Sequence, residues 1–281
     1  MKIPLRSPAI ALLTAGILAA PGSAQDEKEL GWFNTAELTF VTTGGNAAQS
    51  TFGLKSALDR IWETSALRFQ VGGIRTSSTM TVRTATGSAS AFTVDETSTS
   101  DVTAENYFAR GRYERTVSEA MFLYGGAGWD RNTFAGIDNR YGFVGGVGRS
   151  WSETETFKLR TDVGVTYTIQ DDVVDDPSGS DSFAGLRAGY GLSRQLSETT
   201  TFASDLIVDE NLNDTDDLRA DFTNSVAVAM SGALALKASL QLLYDNQPAL
   251  QEIPLGTDGA TVFTPLGKTD RVFTLAVVLT F

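Results

Sequence analysis

The sequence predicts an all-β fold, an antiparallel up-and-down transmembrane β-barrel of about twelve strands, preceded by a cleaved signal peptide. Three observations carry that expectation. Segments of about ten or more residues alternate apolar and polar positions along the chain, the period-two signature of half-buried strands. The connections between them form a short set and a long set that take turns, as in a barrel with turns at one end and loops at the other. No stretch approaches the roughly 18 apolar residues that a membrane helix needs.

Residues 1–24 read as a secretory signal. Lys2 and Arg6 form a positive start, and the apolar run 9–20 is too short to cross a bilayer as a helix. Gly22, Ser23 and Ala24 supply small residues for cleavage after Ala24, leaving 25–281 as the barrel domain. The cleavage position holds no cysteine, so a lipid anchor is not expected. The chain as a whole has none either, which removes a disulfide framework. Its formal charge is −12 and falls by two more when Lys2 and Arg6 are removed. An acidic surface argues against nucleic acid, whose phosphates require Lys and Arg, and against a basic patch on anionic lipid.

The strand pattern is clean in several places. Phe157, Leu159, Thr161, Val163, Val165, Tyr167 and Ile169 oppose Lys158, Arg160, Asp162, Gly164, Thr166, Thr168 and Gln170. Leu218, Ala220, Phe222, Val226 and Val228 oppose Arg219, Asp221, Thr223, Ser225 and Ala227. Farther on, Leu234, Leu236, Ala238, Leu240, Leu242 and Tyr244 oppose Ala235, Lys237, Ser239, Gln241, Leu243 and Asp245. A soluble β-protein also alternates, so the connections decide. The short ones nearly repeat: Arg115, Ser118 and Glu119; Arg149, Ser152 and Glu153; Arg194, Ser197 and Glu198. An aromatic follows each, at Phe122, Phe157 or Phe202. Arg60, Trp62 and Glu63 form a shorter version, and Met230, Ser231 and Gly232 a degenerate one, so the chain is an internal repeat of hairpins. The long connections span about 42–49, 79–100, 131–138, 170–181, 210–217 and 246–268. Trp32, Trp62 and Trp151 fall at the short-turn end, as an interfacial aromatic girdle would.

The last segment sets Phe273, Leu275, Val277, Leu279 and Phe281 against Val272, Thr274, Ala276, Val278 and Thr280. It resembles the final strand of a bacterial outer-membrane barrel, which implies that Phe281 is the signal read by the barrel-insertion machinery. Three patches add to this. Trp32 leads to Glu37, Leu38 and Thr43-Gly44-Gly45-Asn46. Asp130-Arg131 precedes Gly136-Ile137-Asp138-Asn139-Arg140-Tyr141-Gly142 and the glycine-rich 144–148, and Tyr244-Asp245-Asn246-Gln247-Pro248 follows late in the chain. In order and spacing they resemble a family of unknown function whose members are often labelled salt-stress-induced outer-membrane proteins. The resemblance covers about 30–281 and implies a cell outer-membrane location. It brings no substrate and no catalytic residues.

Composition narrows the chemistry. The chain holds no histidine and no cysteine, so a His general base, a thiol nucleophile and ordinary zinc sites are absent. Asp205 with Asp209, or Asp162 beside Lys158 and Arg160, are the carboxylate arrangements left for acid–base work. They also read as lumen charges paired between strands. No enzyme activity, catalytic residue, cofactor or metal site is expected. Two acidic connections, 170–177 and 211–217, offer oxygen ligands without the spacing of a dedicated calcium loop. Bridging of lipopolysaccharide phosphates by divalent ions is their functional reading.

The expected lumen charges are Lys55, Arg68, Arg110, Arg112, Asp130, Arg140, Lys158, Arg160, Asp162, Arg187, Asp205, Arg219, Asp221 and Lys237, joined by Glu37, Glu114 and Asp245. They could line a narrow channel or form a network that plugs the barrel, and twelve strands lie between the filled and the open sizes. The leading expectation is a monomeric channel or envelope-integrity protein of a Gram-negative outer membrane, linked to salt stress. Its partners would be outer-membrane lipid and lipopolysaccharide, with no nucleic acid. The alternatives are a closed barrel whose long loops bind a surface ligand and, third, a carboxylate enzyme.

Overall fold

The computed structural model describes residues 30–43, 47–88, 91–174, 181–255 and 260–280; the expected signal peptide, with Ala24, and Phe281 lie outside the described residues. Fourteen strands follow in order: β1 (Gly31–Thr43), β2 (Ala47–Ile61), β3 (Ser65–Ser88), β4 (Ala91–Thr116), β5 (Met121–Asn132), β6 (Ile137–Glu153), β7 (Phe157–Asp172), β8 (Ser182–Gln195), β9 (Thr200–Asn211), β10 (Leu218–Ala229), β11 (Leu234–Asp245), β12 (Leu250–Leu255), β13 (Ala260–Pro265) and β14 (Thr269–Thr280). Twelve of them, β1–β11 and β14, pair antiparallel with their neighbours and close into a barrel.

The outer surface is apolar because the alternation puts it there. Phe40 is 70% exposed and Phe273 68%, with Phe52, Leu54, Phe69, Leu123, Phe143, Val163 and Val165 also exposed around the wall. Such a surface is stable only against hydrocarbon, and a closed ladder satisfies the backbone there without a free edge. The fold is therefore a transmembrane β-barrel.

The short turns are held as the repeat suggested. The N–H of Val117 donates to Met121 O at 2.9 Å, that of Leu196 to Thr200 O at 2.8 Å, and that of Met230 to Leu234 O at 2.8 Å. The repeated serine adds a side-chain acceptor: Ser118 Oγ takes the Met121 N–H at 3.2 Å and Ser197 Oγ the Thr200 N–H at 3.1 Å.

Two long connections differ from expectation. Segment 79–100, expected as an irregular loop, is strand over 79–88 and 91–100: β3 and β4 run on as a ribbon with continuous pairing from Ser77↔Val102 to Ser88↔Ala91. A register shift falls between Thr76 and Ser77, and β3 keeps β2 as its other neighbour as far as Ala47↔Met80, so only beyond Met80 does the ribbon stand apart from the barrel ladder. Segment 246–268 carries the separate hairpin β12–β13.

The closing seam is short. β1 and β14 pair only from Thr35↔Thr280 to Leu38↔Val277, whereas β1 and β2 pair from Gly31 to Thr43. Among the described residues no ladder pair joins the two edges beyond Leu38.

Candidate functional site

The barrel interior divides into two sectors. Around the seam, inward side chains fill the space. Val272, Ala276 and Val278 of β14 are buried, as are Lys55, Gln70, Asn106, Phe108, Thr223, Ser225, Lys237 and Gln241 from neighbouring strands. Their centre is ionic: Lys237 Nζ donates to Glu37 Oε1 at 3.0 Å, and Lys55 Nζ lies 3.9 Å from the same oxygen. Small Ala276 on β14 lets Glu37 of β1 and Lys237 of β11 meet across the intervening strand. Nearby, Asp221 accepts from Gln241 Nε2 at 2.9 and 3.0 Å.

On the opposite side, β4–β8 leave the interior open. Glycines at 146, 148 and 164 face inward and give room for Phe122 and Tyr124 of β5, which turn into the lumen. A Cβ at Gly148 would strike the Phe122 ring, and one at Gly164 the Tyr124 hydroxyl. Each ring carries a guanidinium: Arg160 stands 4.1 Å from the Phe122 centroid, Arg112 3.8 Å from that of Tyr124. Glu114 ties the two together, at 2.8 Å from Arg112 and 2.5 Å from Arg160, and Asp162 lies 3.4 Å from Arg112. The wall continues with Arg110–Asp130 at 2.7 Å, Arg68–Asp59 at 2.5 Å and Arg187–Asp209 at 2.7 Å.

A cavity of about 3590 Å³ runs along this sector and, at the turn end, extends to Thr35 of β1, Ala235 of β11 and Val278 of β14. Its lining begins at the turn end with Glu63, Glu119, Glu153 and Glu198 and reaches Pro248, Leu266 and Lys268 at the loop end. Of the lumen charges expected from sequence, Arg68, Arg110, Arg112, Asp130, Arg140, Lys158, Arg160, Asp162, Arg187, Asp205, Arg219 and Asp221 line it. Lys55 and Lys237 point inward but are buried in the packed sector. Arg140 donates to Gln170 Oε1 at 2.6 Å, and Arg219 pairs with Asp217 at 3.2 Å. Gln251, Ile253 and Thr264 of the β12–β13 hairpin also line the cavity, partly covering its loop-end mouth.

Sequence reasoning missed two sets of lining residues. The turn carboxylates carried a signal, one Glu directly after Ser in three repeats. Phe122 was grouped with Phe157 and Phe202 as the aromatic after a turn. In the barrel Phe122 faces inward, while register puts the other two outward. Of the carboxylates named for acid–base chemistry, Asp209 is tied by Arg187 and Asp162 by Arg112, while Asp205 lines the cavity. In the acidic connection 211–217, Asp217 accepts from Asn211 and Arg219, and Asp214 from Gln247. Part of connection 170–177 lies outside the described residues. Among the described residues no group of three acidic side chains is arranged for a metal ion.

Closed strand order, apolar exterior and charged interior cavity define the class, a porin-like transmembrane barrel. The chain belongs to the family described as protein of unknown function, DUF481, whose model matches residues 36–258. No curated protein matches it significantly. Among solved structures it is similar to the NanC porin, with 12% identity and a TM-score of 0.46 over 89% of this chain and 99% of that one. It is also similar to the KdgM porin in complex with disordered oligogalacturonate, at 5% identity and 0.43, over 89% and 99%. The translocator domain of the autotransporter NalP from Neisseria meningitidis gives 13% and 0.39, over 91% and 90%. Similarities this distant carry no argument about activity.

Proposed function

We propose that the protein is a monomeric channel of a Gram-negative outer membrane that passes small hydrated cations through the open sector. The observation that carries this reading is the single cavity whose lining reaches from the turn-end carboxylates to the loop-end hairpin. Most lumen arginines are engaged with carboxylates or Gln170, whereas Glu63, Glu119, Glu153 and Glu198 at the turn-end mouth are exposed and form no ion pair among the described residues. Carboxylate rings at a pore mouth raise the local cation concentration and exclude anions. A cation path also fits the salt-stress label of the family that the sequence resembles. In this reading Phe281 directs insertion, and the long connections face lipopolysaccharide.

The ribbon 77–102 favours a second role, in which the same barrel displays a surface ligand site. Its exposed face pairs hydroxyls, Thr79 with Ser100 at 3.1 Å and Thr81 with Ser98 at 2.9 Å.

The test is the reversal potential of the folded protein in a planar bilayer under a potassium chloride gradient. Cation selectivity is expected, and it should weaken in Glu119→Gln/Glu153→Gln/Glu198→Gln. Anion selectivity, or no current from protein that migrates as folded, contradicts the reading.

A further inference from the structure

The repeat at the short turns has a second half that conduction does not use. Each unit sends its Glu to the pore mouth and its Arg outward. Arg60 follows exposed Leu58 by two residues, Arg115 follows Tyr113, and Arg149 follows Val147; Arg194 shares the face of exposed Leu186. Four guanidinium groups therefore stand on the outer wall at the turn end, one on each of β2, β4, β6 and β8.

Their surroundings differ from those of the lumen arginines. Inside, six arginines (Arg68, Arg110, Arg112, Arg160, Arg187 and Arg219) hold a carboxylate. Toward the loop end, Arg83 holds Glu96 and Arg131 holds Asp138, both at 2.6 Å. None of the four rim arginines forms an ion pair with a described carboxylate. Two of them lie against the tryptophans that mark the interface. Arg60 is 5.5 Å from the Trp32 ring and 5.4 Å from that of Trp62, and Arg149 is 4.3 Å from Trp151. Tryptophan sits at headgroup level, so the guanidinium groups stand where lipid phosphates lie. Arginine matches phosphate oxygens with two parallel N–H donors.

We propose that Arg60, Arg115, Arg149 and Arg194 form a rim that binds anionic phospholipid headgroups in the leaflet at the turn end. Each arginine takes the phosphate of one lipid, and the adjacent tryptophans pack on its glycerol and upper acyl region. The acidic net charge of the chain conceals this rim, because its carboxylates face the pore or the loops. The proposal does not depend on conduction.

The experiment uses the full folded barrel in vesicles of phosphatidylethanolamine and phosphatidylglycerol, with one lipid or the other brominated near its headgroup. Quenching of tryptophan emission reports which lipid sits at the rim, since three of the four tryptophans are there. Phosphatidylglycerol should be enriched about fivefold, the factor expected for one cationic side chain near an anionic surface. Arg60→Gln/Arg115→Gln/Arg149→Gln/Arg194→Gln should bring the quenching ratio to unity. Should that variant not fold, Arg60→Gln/Arg149→Gln replaces only the two arginines beside the reporting tryptophans and should still lower the ratio. Arg75→Gln/Arg271→Gln, outward toward the loop end, should leave it unchanged. Equal quenching by both lipids in the unaltered protein overturns the proposal, as does a preference that survives the rim substitutions or is lost in the loop-end variant.

Discussion

The seam sector and the open sector are built from the same residue types and do opposite things with them. At the seam buried Lys55 and Lys237 meet the largely enclosed Glu37 and hold strands together. Across the lumen Glu114, Arg112, Arg160 and Asp162 line a cavity. What differs is the space allowed by the facing strands. Inward glycines at 146, 148 and 164 keep one wall open, while Val272, Phe108 and Thr223 close the other. The choice between plug and pore is thus made sector by sector. The plug also has a mechanical place, since among the described residues the seam has the shortest ladder in the barrel and Glu37 reaches Lys237 across β14 beside it.

That contrast can be broken most strongly at the seam. Lys237→Met leaves the largely enclosed Glu37 with only the more distant Lys55 and should cost about 3–5 kcal/mol, as breaking a buried ion pair does. The matching change on the open wall, Arg187→Met, should cost less than about 1 kcal/mol because that pair is partly solvated. Urea unfolding in detergent or vesicles measures both, and equal losses would erase the distinction. The smallest effect is expected in the ribbon. Replacing 81–98 by a tight turn should change barrel stability by less than about 1 kcal/mol, because a lone two-stranded hairpin is marginal by itself. A large loss there would mean that the ribbon packs on the barrel wall.

The sequence carried the barrel well and the interior less so. Alternation exposes strands whose faces differ in polarity, as in 157–170 and 234–245, so these were legible. Residues 77–102 are polar on both faces, so alternation fails; their Thr and Val content was the remaining strand signal. Inward orientation of Lys55, Lys237 and Arg160 could be read from parity. Their depth could not, because it depends on what faces them after closure. Phe122 and Tyr124 illustrate the same limit, as their place inside is set by glycines on β6 and β7, partners distant in sequence.

The most direct test of a conducting open sector beside a closed seam uses the absence of cysteine from the chain. Single cysteines at Asp162 and at Ser225 would be exposed to a charged methanethiosulfonate reagent during single-channel recording. Modification at position 162 should change the current in discrete steps, and position 225 should not respond. A response at 225 with none at 162 would place the conduction path along the seam and contradict the account.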